Sequence, residues 1–216
     1  MKHKKIVLGV FLLGGLFQPS WAQTNPSPVE VLNGIGYQWY THPTTQFKTP
    51  QIVSGLPHNA ISSFNKRMSD ILKERLEEVS LCQEESGGTY DYSAETTFEF
   101  LSQALISVSL LDRSNCGDTA HDSVYLRYET FNAQTGERLT LGDFIPKNQV
   151  YSILTKHYPL EIFTPEGDCD YSDPLIWQDA DWAISSDGIK VFPQLPDSMM
   201  ACGGPEWAVI PWDALK

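Results

Sequence analysis

The sequence predicts an α+β fold, with a mostly antiparallel sheet packed against one long and one shorter helix and two disulfides. Three observations predict it. From Pro57 to Gln83, apolar residues recur at three- and four-residue steps, the period of an amphipathic helix. Several later segments alternate apolar and polar residues, the period of half-buried strands. Near the C terminus, Ser186-Asp187-Gly188 separates two alternating runs, Trp182 to Ile184 and Ile189 to Val191. Asp-Gly in that setting marks a tight hairpin.

The elements follow in order. Residues 23–34 are rich in Pro, Ser and Asn and are expected to form a loose leader. Ile35, Tyr37, Trp39 and Thr41 share one face of a first strand, so 23–44 read as leader and first strand and 45–216 as the domain. In the long helix, Ile61, Phe64, Met68, Ile71, Leu72, Leu76 and Val79 form the apolar stripe. Lys66, Arg67, Lys73, Glu74, Glu77 and Glu78 fill the other face. Gly87-Gly88 ends it.

Tyr90 to Phe100 and Ala104 to Leu111 read as two strands joined near Ser102-Gln103. Ile106, Val108 and Leu110 point one way, and Ser107 and Ser109 the other. Val124 to Phe131 is a further strand, with Val124, Leu126 and Tyr128 on one face. Asn132 to Arg138 is a turn containing Gly136, after which Leu139 to Leu141 continues the sheet. Asp143 is placed to cap a short turn, Lys147 to Tyr158 is the second helix, and Pro159 to Gln178 is an acidic loop. The C-terminal hairpin and a last strand, Trp207 to Ile210, complete the sheet.

The N terminus points to export. Lys2, His3, Lys4 and Lys5 precede a 12-residue apolar run, Ile6 to Phe17, too short to span a bilayer as a helix. Pro19-Ser20-Trp21-Ala22 supplies the small residues of a cleavage site, so 1–22 read as a secretory signal peptide cleaved after Ala22. Removing it leaves 12 basic and 27 acidic residues, a net charge of −15. That charge disfavours nucleic acid and anionic membrane as partners and favours a cationic protein. The expected location is the periplasm, with no membrane anchor.

In an oxidising compartment, the four cysteines Cys82, Cys116, Cys169 and Cys202 read as two disulfides. Three pairings are possible. Cys82–Cys116 with Cys169–Cys202 is preferred because each bridge stays within its own half of the chain. The spacings contain no C-x-x-C and no paired histidines, which disfavours zinc.

The familiar catalytic motifs are missing: no G-x-S-x-G, no Walker loop, no dinucleotide fingerprint and no H-E-x-x-H occur. His121 stands between Asp118 and Asp122 and could act as a general base or orient the start of a strand by hydrogen bonds. Asp168, Asp170, Asp173, Asp179 and Asp181 supply the oxygen ligands calcium prefers, but their spacing departs from an EF-hand loop. They read instead as part of an acidic face. No cofactor is expected. The loop from Phe192 to Pro205 is the stronger candidate. Pro193 and Pro196 restrict it, while Leu195, Met199 and Met200 offer apolar contact beside Asp197. Cys202 anchors it, and Gly203-Gly204 permits a sharp return. The predicted partner-binding residues are therefore Leu195, Asp197, Met199, Met200, Asp170 and Asp173.

Several segments, in order, resemble one family. They are Lys48-Thr49-Pro50-Gln51-Ile52-Val53-Ser54-Gly55-Leu56 with Ile61, Phe64 and Asn65; Leu105-Ile106-Ser107-Val108; and Gly117-Asp118-Thr119-Ala120-His121. Tyr128 to Asn132 with Thr135-Gly136-Glu137 and Leu139 to Ile145 follow, then Gly188 to Phe192 and Gly203 to Leu215. Together they resemble the RsiV-like family, whose members include the lysozyme-sensing domain of the anti-sigma factor RsiV and the accessory domain of the deacetylase PdaC. The resemblance runs from about residue 45 to 216 and implies an α+β domain outside the cytoplasm. For the RsiV branch it implies lysozyme binding. This chain departs from the family in three ways. It lacks a membrane span with a cytoplasmic anti-sigma segment, it has four added cysteines, and its closing loop reads Pro-Asp-Ser-Met-Met-Ala-Cys.

The expectation is a soluble periplasmic binding protein without catalysis of its own. It would inhibit a lysozyme-type cell-wall hydrolase or act as an immunity protein against a periplasm-delivered toxin. The rival is an enzyme or accessory domain acting on envelope glycans, in which His121, Asp118 and Asp122 would carry the chemistry.

Overall fold

The computed structural model describes residues 25–87, 90–117, 123–164, 169–196, 205 and 207–215. The predicted signal peptide lies outside them. Among the described residues, no helix is long and apolar enough to cross a membrane.

The fold is α+β, and among the described residues its strands divide into three antiparallel sheets rather than one. In the first, β3 (Ile35–Thr41) is flanked on one side by β1 (Asn25–Pro26) and β2 (Glu30–Leu32) and on the other by β4 (Lys48–Ser54). The expected loose leader is thus two short strands, because its backbone groups find partners along β3. The β3–β4 hairpin also crosses the expected boundary between leader and domain.

The second sheet runs β5 (Tyr90–Leu101), β6 (Leu105–Cys116), β7 (Ser123–Asn132), β8 (Arg138–Leu139). Both β5 and β6 are twelve residues long. Sequence reading ends the second of these strands at Leu111, whereas β6 continues to Cys116. The third sheet is β11 (Val209–Pro211), β10 (Gly188–Phe192), β9 (Asp181–Ile184). It contains the predicted hairpin, with Ile189 opposite Ile184.

Helix α1 (His58–Glu85) lies across the second sheet and against β4. Asn65 clasps β4 at Ile52: its Oδ1 accepts from Ile52 N at 2.9 Å, and its Nδ2 donates to Ile52 O at 2.9 Å. One side chain thereby mimics a neighbouring strand. The buried stripe of α1 is Ala60, Phe64, Met68, Ile71, Arg75, Val79 and Cys82. Leu72 and Leu76, expected in it, are only half-buried, because Arg75 occupies the position between Ile71 and Val79. With Phe64, Met68 and Ile71 pack Ile35, Ile52, Leu101, Ile106, Val108, Leu110 and Phe131.

Arg75 is 1% exposed. Its Nε donates to Asp112 Oδ1 at 2.7 Å, its Nη1 to Thr96 Oγ1 at 2.7 Å and its Nη2 to Glu95 O at 2.9 Å. Tyr92 adds a hydroxyl 3.3 Å from the same Asp112 oxygen. This pairing explains the length of β6, since Asp112 faces the helix with its charge matched. Glu129, 3% exposed on β7, is held similarly by Arg67 of α1 at 2.7 Å. Its other oxygen lies 2.6 Å from Arg138 Nε but without hydrogen-bond geometry.

The Cys82–Cys116 disulfide staples the end of α1 to the end of β6 and closes a separation of 34 residues. By the chain-entropy estimate it contributes about 3–4 kcal/mol. It is the one bridge described in full. Cys169 is also disulfide-bonded, and Cys202, its expected partner, lies outside the described residues.

The opposite face of the second sheet carries a second core. Ser107, fully buried, bonds Thr130 Oγ1 at 3.0 Å and accepts from Ile184 N at 3.3 Å. The predicted polar face of β6 is therefore covered by β9. Around this contact gather Leu141, Ile145, Val150, Leu154, Phe163, Trp177, Ile184, Ile189, Val191 and Ile210. They come from α2 (Val150–His157), the 3₁₀ turns Leu141–Asp143 and Pro174–Trp177, the residues just after the 3₁₀ turns Leu141–Asp143 and Leu160–Ile162, and the third sheet. The predicted strand at Leu139 to Leu141 stops after Leu139. Thr140 and Asp143 there form a capping box, Asp143 Oδ2 accepting from Thr140 N at 2.7 Å and from its hydroxyl at 2.8 Å.

Gly136 needs to be glycine. Its φ is +76°, and a Cβ there would lie 2.7 Å from Ala60 Cα. The turn after β7 thereby seats directly on the first turn of α1.

The buried Arg75–Asp112 pair yields a test by urea unfolding with the disulfides intact. Arg75→Met or Asp112→Leu leaves one charge unmatched, and each is expected to lower stability by about 3–5 kcal/mol. The double variant, with both charges gone, is expected to lose less than either single variant. Additive losses would contradict the pairing.

Candidate functional site

The predicted partner-binding residues that the structure describes all sit in the C-terminal lobe, the part of the chain from Leu141 on that builds the second core. Asp170 and Asp173 are exposed, and each shapes a local turn. Asp170 Oδ1 accepts from Ser172 N at 2.9 Å, and Asp173 Oδ1 accepts from Leu175 N at 2.9 Å, capping the 3₁₀ turn Pro174–Trp177. Leu195 is half-buried and packs on the lobe's core instead of offering a free tip. Beside it, Gln194 N donates to Ile176 O at 2.8 Å and Gln194 Nε2 to Asp181 Oδ2 at 3.2 Å. The root of the predicted binding loop is therefore tied to the 3₁₀ turn that Asp173 caps. Asp197, Met199, Met200 and Cys202 lie outside the described residues, as do Asp118, His121, Asp122 and Asp168.

Charge concentrates in this lobe. From Pro159 to the C terminus there are 11 acidic and 2 basic residues, so 9 of the chain's 12 net negative charges fall in its last quarter. Lys190, one of those two cations, lies 3.7 Å from Glu99 of β5. Lys147, in the 3₁₀ turn before α2, pairs with Asp179 at 2.6 Å. Among the carboxylates stand two exposed leucines, Leu160 at 61% and Leu175 at 68%. The acidic loop is legible in the sequence; the exposure of these leucines is not. Leu175 is pushed outward because Asp173 and Pro174 start a 3₁₀ turn that buries Ile176 and Trp177 instead.

The described aspartates of the calcium pattern, Asp170, Asp173, Asp179 and Asp181, are occupied by these turns and pairs. Among the described residues, no group of three or more His, Cys, Asp or Glu stands where a metal ion could be held. The described histidines, His42, His58 and His157, are on separate elements. His42 Nδ1 lies 3.0 Å from Thr45 Oγ1 within its own turn.

A cleft of about 420 Å³ lies at the other end of the molecule, beside the Cys82–Cys116 disulfide. Its polar groups bind one another. Tyr92 donates to Glu78 Oε2 at 2.6 Å, Arg75 holds Asp112, and Arg127 lies 3.9 Å from Asp112. Burial, the bond to Glu78 and the charge of Asp112 hold the Tyr92 hydroxyl far above its ordinary value. It stays protonated and serves as a donor, not a base.

Neither a family model nor a curated protein matches the sequence. Solved structures do match the fold. A DUF3298 family member from Bacteroides fragilis NCTC 9343 aligns over 88% of this chain and 91% of its own, with a TM-score of 0.53 and 12% identity. A DUF3298 family protein from Pseudomonas aeruginosa PAO1 aligns over 88% and 93%, with a TM-score of 0.47 and 11% identity. The chain is thus an α+β protein that shares its arrangement with the Bacteroides protein over most of both chains. At this identity the likeness concerns fold alone.

The lobe's carboxylates differ in environment, which carbon-detected NMR titration can read. Burial raises Asp181, opposed by the bond from Gln194. Bonds from Ser172 lower Asp170, and bonds from Thr140 lower Asp143. Asp181 is expected to titrate above ordinary aspartate, and Asp170 and Asp143 below it; the reverse order would contradict the geometry. The penalty of an ionised Asp181 is fully present above its folded pKa and is relieved as pH falls through it. The Asp143 cap contributes above the unfolded aspartate value and is lost as pH falls through its lower folded value. Asp181→Asn should therefore raise stability near neutral pH.

Proposed function

We propose that this protein is a non-catalytic binding protein of the periplasm whose acidic C-terminal lobe docks a cationic protein. The first candidate partner is a lysozyme-type cell-wall hydrolase, which the bound protein would inhibit. A periplasm-delivered toxin, neutralised in the manner of an immunity protein, is the next. The observation that carries this reading is the concentration of 11 acidic against 2 basic residues in the last 58 positions, with Leu160 and Leu175 exposed among them. Such a field speeds encounter with a cation, and apolar side chains within it give the complex contact area. The RsiV-like motifs support the same partner class, and the intrachain disulfide fits an oxidising compartment.

Surface plasmon resonance with the mature protein and a cationic lysozyme tests this reading. Association should slow steeply as salt rises from about 50 to about 300 mM. Asp170→Lys with Asp173→Lys should slow it by about tenfold, and Leu175→Ala should speed dissociation. Asp197, Met199 and Met200 supply a loop set to compare with these. A complex indifferent to salt and to lobe substitutions would remove the lobe from the account. Turnover of a glycan by the purified protein, lost in His121→Ala, would favour the rival reading.

A further inference from the structure

A second groove, of about 590 Å³, lies between the first sheet and the long β5–β6 hairpin. Its walls include Trp39 of β3, Gln46 of the β3–β4 turn, Lys48 at the start of β4, Ser93 and Glu95 of β5, and Arg113 of β6. Pairing places Ser93 opposite Arg113, and alternation puts Glu95 on the same face of the sheet. Trp39 is half-buried and set by Phe98, at 5.8 Å between ring centres, and by Tyr37 at 6.3 Å.

The cations here are unusual for this chain. Among the described residues, the other lysines and arginines, Lys156 excepted, reach a carboxylate. Among the described residues Lys48 and Arg113 have no such partner; both are exposed and line one groove. In a chain of net charge −12, two free cations in one groove form an isolated positive site that favours an anion. One carboxylate, Glu95, shares the groove. It disfavours a polyanion and accepts hydrogen bonds from hydroxyl groups. Gln46 and Ser93 add short polar contacts, and the indole of Trp39 offers a flat apolar wall for a ring. The volume is in the range of small-ligand sites.

We propose that this groove binds an acidic saccharide: a hydroxylated ring carrying one carboxylate or phosphate. Lys48 and Arg113 take the anion, Glu95 and Gln46 take hydroxyls, and Trp39 backs the ring. This site is separate from the acidic lobe, and either proposal can fail without the other.

Saturation-transfer NMR on the mature, disulfide-intact protein tests it, with glucuronate, glucose 6-phosphate, glucose and inorganic phosphate as probes at up to about 10 mM. At least one acidic sugar should bind, and glucose should bind about tenfold more weakly or not at all. Comparing glucuronate with glucose 6-phosphate identifies the preferred anion. Lys48→Ala with Arg113→Ala should abolish the signal with an unchanged circular dichroism spectrum, and Arg113→Lys should retain part of it. Binding should weaken as salt rises. The proposal is overturned if neither acidic sugar binds, if glucose binds equally well, if inorganic phosphate competes as well as the sugars bind, or if the double variant binds unchanged.

Discussion

The fold depends on one buried ion pair. Arg75 sits in the apolar stripe of α1, and Asp112 meets it from the middle of the second sheet. An unmatched charge at either position would carry a desolvation penalty of several kcal/mol. The pair therefore permits one seating of the helix on the sheet, the one in which Nε, Nη1 and Nη2 find Asp112, Thr96 and Glu95 together. The Cys82–Cys116 bridge lies two turns further along α1 and holds the same seating covalently. Gly136 and Asn65 fix the opposite half of the helix, one against the turn after β7 and the other against β4. With α1 fixed on one face, the other face of the sheet is left to carry the C-terminal lobe through Ser107, Thr130 and β9.

That division organises the charges. The helix face holds its ions in pairs: Arg75 with Asp112, Arg67 with Glu129 and Glu74, and Lys66 with Asp70. The exposed pair Lys66–Asp70 and the half-exposed pair Arg67–Glu74 contribute little individually, but together with the buried pairs they leave little net charge there. The lobe lacks cations to match its carboxylates, so most of the chain's negative field arises from it. Its aspartates also shape its surface, through the turns at Asp170 and Asp173 and the tie between Asp181 and Gln194. The same residues thus serve local structure and the external field. The Trp39 groove is the counterpoint, a small positive site on an acidic molecule.

Much of the fold was legible in the sequence, for reasons tied to particular residues. The long helix, both central strands, the Asn132 turn, the capping role of Asp143 and the terminal hairpin each carry a local signal. Arg75 and Asp112 were not legible. Each looks polar and exposed within its own element, and they meet 37 residues apart in sequence. Local alternation therefore predicts a strand end at Leu111, and the helical period places Leu72 and Leu76 in the core. The division into three sheets was hidden for a similar reason, since only tertiary pairing reveals that β9 covers Ser107. For the candidate site, composition located the acidic region, but Leu195 could not be known to fold inward, and Leu175 could not be known to face outward. Lys48 and Arg113 lie 65 positions apart, and nothing local joins them.

The proposed docking of a cationic protein on the acidic C-terminal lobe has a defined footprint in backbone exchange. Hydrogen–deuterium exchange of the mature protein, with and without saturating lysozyme, tests it most directly. Added protection should concentrate in residues 159–196, strongest around Asp170 to Gln178, while α1 and the β5–β6 hairpin exchange as in the free protein. Protection confined to α1 or the β5–β6 hairpin, or no change in the lobe at saturation, would contradict it.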